Sequence, residues 1–143
     1  MKNALRITFA LLLIFTLAFT LASCGDDADT TANPWDDAVY TENTEFGNGS
    51  KTVAVTVKVN ENAVTFTIHT DKSTVGEALI EHGLISGEEG AYGLYVKKVN
   101  GITADYDVDQ SYWAFYINGD YAMTGIELTD INEGCVYEVV YTK

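Results

Sequence analysis

The chain has little positive charge. It carries 8 Lys and Arg against 21 Asp and Glu, for a formal net charge of −13 over 143 residues. Lys2 and Arg6 precede every acidic residue, so cleavage before Cys24 would leave six basic residues and a charge near −15. A field of that sign repels phosphate backbones and anionic headgroups, which excludes nucleic acid as a partner. Proline occurs once, at Pro34, and the two cysteines, Cys24 and Cys135, allow one disulfide at most. Catalytic signatures are missing as well: there is no G-x-S-x-G elbow, P-loop, C-x-x-C or H-E-x-x-H. A protein without enzymatic activity is expected.

No apolar run is long enough to span a bilayer. Ile7 to Leu21 is broken only by Thr8, Thr16 and Thr20, yet it falls short of the roughly 20 residues a membrane helix needs. With Lys2 and Arg6 before it and small residues after it, residues 1–23 read as a signal peptide. The ending Leu21-Ala22-Ser23-Cys24 resembles a bacterial lipobox. That resemblance implies lipid on Cys24, a membrane partner and an extracytoplasmic location at the cell surface. Several acyl chains, at about 0.8 kcal/mol per buried CH₂, make a durable anchor. Cys135 is then left without a pairing partner, as a small buried residue at a strand start. Residues 24–52 are rich in Asp, Thr, Asn and Gly without a sustained hydrophobic period, so a disordered tether is expected after the lipidated cysteine. Trp35, Tyr40 and Phe46 stand out in it, either as a docking stripe or as incidental aromatics.

Residues 53–143 read as one folded domain. Val53 to Val59 and Val64 to His69 alternate apolar and polar residues, which predicts a hairpin with one buried face. Thr74-Val75-Gly76-Glu77 fits a capping box for a short helix, Val75 to His82, that Gly83 stops. Further strands are expected over Tyr92–Val99, Tyr112–Ile117 with a return through Ala122–Ile126, and Cys135–Tyr141. Asn118-Gly119 supplies the type I′ turn, which needs positive φ at both central positions. The order β-β-α-β-β-β, with one short helix on a mixed sheet, is an α+β, β-grasp-like module.

Val53 to Lys143 resembles the transcobalamin-like C-terminal domain family found in bacterial surface lipoproteins. The likeness rests on the first hairpin, on Thr74-Val75-Gly76-Glu77-Ala78-Leu79, on Tyr112-Trp113-Ala114-Phe115-Tyr116-Ile117-Asn118-Gly119 and on Gly134 to Tyr141. It implies a small ligand-binding module, with cobalamin or another corrinoid as the ligand. The large helical domain of the eukaryotic carriers has no counterpart here, so one half of the clamp is missing. The alternative is an interaction module for a protein or cell-wall polymer. Tyr112, Trp113, Tyr116, Tyr121 and Met123 are the candidate contacts, because flat amphipathic side chains suit a planar ligand or sugar ring. Tyrosines are also ordinary strand formers on a half-wet face. Asp105, Asp107 and Asp109 have the acid spacing that opens a calcium loop. Gln110 stands where that loop needs Gly and Tyr116 where it needs Glu, so a solvated acidic loop is the simpler reading. His69 and His82 lie on separate elements with no evident metal partner.

Overall fold

A computed structural model describes residues 32–143; residues 1–31, on which the expected signal peptide and lipidated Cys24 fall, lie outside the described residues. In chain order the strands are β1 (Thr44–Gly47), β2 (Lys51–Val59) and β3 (Asn62–Thr70), followed by helix α1 (Val75–Glu81). Then come β4 (Ile85–Gly90), β5 (Gly93–Val99), β6 (Ile102–Thr103) and a one-turn helix α2 (Tyr106–Asp109). The chain closes with β7 (Tyr112–Ile117), β8 (Asp120–Tyr121) and β9 (Tyr137–Thr142). Six strands make a mixed sheet in the order β1-β3-β2-β9-β7-β8, and β4-β5-β6 form a second, antiparallel sheet. The architecture is α+β, as expected.

The first hairpin follows from its alternation. Val53, Val55, Val57 and Val59 of β2 and Val64, Phe66 and Ile68 of β3 are all buried on one face. On the other face the Thr56 and Thr65 hydroxyls pair at 3.0 Å, and Lys58 reaches across to Glu138 of β9. The capping box forms as read: Thr74 Oγ1 accepts the Glu77 N–H at 3.2 Å, while the Glu77 carboxylate accepts the N–H groups of Ser73 and Thr74. Val75, Ala78 and Leu79 bury the apolar face of α1. At Gly76 the helix rests on the short turn Ile126–Leu128 through bare backbone, since a Cβ there would lie 2.5 Å from the Glu127 Cα. Only glycine allows that approach.

The tether reading is corrected from residue 32 onward. Pro34–Asp37 form a 3₁₀ turn capped by Asn33, and β1 pairs in parallel with β3 from Thr44↔Phe66 to Gly47↔His69. Tyr40 and Phe46 meet Phe66 edge-on, with ring centres 5.7 and 5.8 Å from it. Buried Asn100 clasps Tyr40 in both directions, accepting its N–H at 2.9 Å and donating to its carbonyl at 2.8 Å. Local composition looked unfoldable because the apolar partners lie far away along the chain.

Three further boundaries differ. β4 was not anticipated, because Ser86-Gly87-Glu88-Glu89-Gly90 is exposed throughout and offers no alternation to read. Ala122–Ile126 is not a strand: β8 ends at Tyr121, and the chain turns away to the Ile126–Leu128 turn. Cys135 precedes β9 and is half-buried, with its Sγ 3.7 Å from the Asn118 amide nitrogen.

Candidate aromatic groove

β7 positions the site. Its inner edge pairs with β9 along the full strand, from Tyr112↔Thr142 to Ile117↔Tyr137. Asn118 (φ 53°) and Gly119 (φ 85°) make the expected tight turn, and β8 returns against Tyr116 and Ile117. One further bond, from the Ala122 N–H to the Phe115 carbonyl at 2.9 Å, ends that pairing. The outer edge of β7 from Tyr112 to Phe115 therefore has no strand beside it. β5 lies opposite, bonded to β6 only at Lys98 and Val99. Glu127 ties the far wall in place by accepting the Leu94 N–H at 2.7 Å.

Between these two free edges is a groove of about 300 Å³. Tyr112, Trp113, Phe115, Tyr121 and Met123 line one side of it, and Leu94, Tyr95 and Val96 the other. Residues from both faces of β7 reach it because it follows the strand's edge. Four of the five candidates taken from the sequence thus come together. Tyr116 does not line the groove; its ring meets Tyr121 edge-on at 5.5 Å. Trp113 is 8% exposed, and its indole N–H has no hydrogen-bond partner. Tyr121 is 58% and Met123 96% exposed at the mouth. The strand over Tyr92–Val99 was expected, but Tyr95 and its neighbours were not among the site candidates, since the β4 that pairs with them could not be read.

A second cavity, of about 380 Å³, lies at the opposite edge of the large sheet and is lined by Gly47, Asn48, His69, Asp71, Lys72 and His82 among others. The two histidines, far apart in sequence, thus share one wall. Apart from His82, its polar groups largely serve one another. His69 bonds Glu45 at 2.6 Å and Thr52 at 3.0 Å, and Asp71 accepts from the Ser50 N–H and hydroxyl. Those Ser50 bonds hold the Asp71 carboxyl below the usual carboxylate range. The His82 Nε2 has no partner and is covered, with its ring stacked on Phe46 at 5.3 Å. Larger volume does not outweigh this self-satisfaction, and the aromatic groove remains the better candidate.

The acidic loop is also self-satisfied. Asp105 caps α2 by accepting the Asp107 N–H at 3.0 Å and faces Lys97 at 3.4 Å. Asp109 accepts from Ser111 and pairs with Lys143 at 3.1 Å; both partners, the Ser111 hydroxyl first, hold its carboxyl below the usual range. Gln110 takes a left-handed cap at φ 64° and ends α2. Among the described residues, no three His, Cys, Asp or Glu side chains converge to hold a metal.

A protein from Ruminococcus gnavus, provisionally described as metal-binding, has a crystal structure similar to this chain. It is 30% identical, with a TM-score of 0.61, over 66% of this chain and 98% of its own. Residues 72–142 match the profile of a family described as a domain of unknown function, DUF4430. The chain belongs to that family. The DUF4430 match takes in α1, β5, β7 and β9, and so every wall of the groove. Haptocorrin in complex with Cbi is a more distant likeness: 22% identity and a TM-score of 0.49, over 68% of this chain and 26% of haptocorrin. No curated protein matches.

Proposed function

We propose that this chain is an extracytoplasmic lipoprotein, held to the membrane through Cys24, that presents a small ligand-binding module and is not an enzyme. The observation that carries the reading is the groove: Tyr112, Trp113, Tyr121 and Met123 meet in one concave site whose lining contains no charged side chain. Ligand sites are mostly apolar, with a few convergent polar groups, and here tyrosine hydroxyls supply them. The anchor is supported by the lipobox-like Leu21-Ala22-Ser23-Cys24.

The named ligand is cobalamin or another corrinoid, supported by the sequence resemblance to transcobalamin-like domains. At about 300 Å³ the groove sits at the low end of sites that enclose a drug-sized molecule. It could grip one edge of a large macrocycle, leaving the rest to another domain or protein. Calorimetry of the purified full chain with cobinamide should give heat that Met123→Ala diminishes. No heat at high micromolar corrinoid would remove this ligand.

The second reading, an interaction module for a protein or cell-wall polymer, has its own support. Tyr92 and Leu128 are 91% and 61% exposed. They sit where the Tyr92–Gly93 and Gly125–Leu128 segments abut beside the groove. Together with Tyr121 and Met123 they make an apolar rim of the kind found at docking surfaces. Capture of a surface partner that Met123→Asp abolishes and corrinoids leave unchanged would favour it.

A further inference from the structure

We propose that the groove selects a cationic head, a quaternary ammonium on an apolar frame, over neutral or anionic groups of the same shape. The inference rests on the reading of the groove as a ligand site. Five aromatic residues line it (Tyr95, Tyr112, Trp113, Phe115 and Tyr121) with no Lys or Arg among them. The face of an aromatic ring carries negative potential, and several such faces around one space make the cage that binds alkylated ammonium groups. The Tyr95 ring already has an ammonium over it, Lys97 Nζ at 6.0 Å from its centre. That lysine brings little free charge, because Glu88 at 3.1 Å and Asp105 at 3.4 Å neutralise it.

Fixed negative charge lies against the wall. The Glu127 carboxylate is held at 2.7 Å by the N–H of Leu94, a lining residue, and cannot swing away to solvent without breaking that bond. The field of a chain at −13 adds attraction for cations and repulsion for anions over longer distances. The degree of alkylation follows from hydrogen bonding. With no carboxylate in the lining, a primary ammonium would exchange its water bonds for those of a few neutral acceptors, such as the tyrosine hydroxyls, at a greater desolvation cost than a quaternary one. A quaternary nitrogen has no N–H to leave unpaired.

The test uses the full-length protein in non-ionic micelles, with Trp35→Phe making Trp113 the sole tryptophan emitter. Choline, 3,3-dimethylbutan-1-ol and 3,3-dimethylbutanoate are close in shape and differ in charge. Choline should shift Trp113 emission with about tenfold higher affinity than the alcohol, and the carboxylate should have no effect. Tyr121→Ala should bring choline and the alcohol close to parity. If the alcohol binds as well as choline in the parent protein, the charge preference is overturned and the groove stands. If none of the three changes Trp113 emission into the tens of millimolar, the groove fails as a small-molecule site and the inference falls with it. Indole N–H signals of ¹⁵N-tryptophan in the unsubstituted chain give the same comparison should Trp35→Phe impair folding.

Discussion

The two edges of the six-stranded sheet use the same kinds of side chain for opposite purposes. At one edge β1 covers β3, and Tyr40, Phe46 and Phe66 close into an edge-to-face cluster with Phe66 fully buried. At the other, β8 covers only two residues of β7, and Tyr95, Tyr112, Tyr121 and Met123 stay around an open groove. Aromatic content does not separate a core from a site; the length of the covering strand does. β1 pairs with four of the nine residues of β3, at the stretch that carries Phe66, whereas β8 pairs with only two of the six residues of β7.

The contrast breaks most visibly at the sealed edge. Phe66→Ala removes a ring with 0% exposure at the centre of the cluster and should cost about 3–5 kcal/mol, read from urea unfolding. Next in size is Asn100→Gly, which keeps the left-handed backbone of that turn (φ 51°) and deletes only the clasp on Tyr40. The Tyr40 N–H and carbonyl lose their partners, at a cost of about 1–3 kcal/mol. Hydrogen exchange should show faster opening at Tyr40 with the β2–β3 ladder unaffected. Uniform protection across both regions would mean that β1 and the segment before it do not depend on Asn100.

Legibility followed the range of the interactions. The β2–β3 hairpin, the Thr74–Glu77 cap and the Asn118-Gly119 turn are each specified within a few residues, and all three stand as read. β1 escaped because Thr44-Glu45-Phe46-Gly47 has no period of its own and gains its order from Phe66 and Ile68, more than twenty residues away. β4 escaped because an exposed strand rich in Gly and Glu shows no alternation. Those two omissions hid different things: the first concealed the sealed edge, and the second the β5 wall of the groove. Tyr112, Trp113, Tyr121 and Met123 could be chosen from β7 and its turn alone, whereas Tyr95 could not.

An intermediate effect is expected where α1 supports the open edge. Gly76 presses on the Ile126–Leu128 turn, and Ile126 also lines the groove, so fraying the helix start loosens the groove's foundation. Thr74→Ala removes the cap and should cost about 1 kcal/mol. The N–H groups of Ser73 and Thr74 hold the Glu77 carboxyl below its usual range. A lowered folded-state pKa contributes stability above the unfolded pKa and loses it as pH falls through the folded one. The wild type should therefore lose this contribution on acidification below the ordinary glutamate range, and Glu77→Gln should flatten that part of the stability curve. An acid limb as steep in Glu77→Gln as in the parent would show that the other depressed carboxyls, Asp71 and Asp109, carry it.

The smallest change in stability should come with the clearest change in binding. Tyr121 pairs across the hairpin with Tyr116, and a cross-strand aromatic pair on an exposed ribbon is worth about 0.2–1 kcal/mol. Tyr121→Ala should therefore leave the unfolding midpoint nearly in place. Because its ring is 58% exposed at the groove mouth, the same substitution should weaken any ligand held there, whether corrinoid edge or ammonium head. Phe66→Ala should behave in the opposite sense: a large loss of stability, with unchanged affinity in whatever fraction remains folded. If Tyr121→Ala instead unfolded the domain and left binding intact, the open edge would be a second sealed one. The division of labour between the edge closed by the Phe66 cluster and the open edge of β7 would then have no basis.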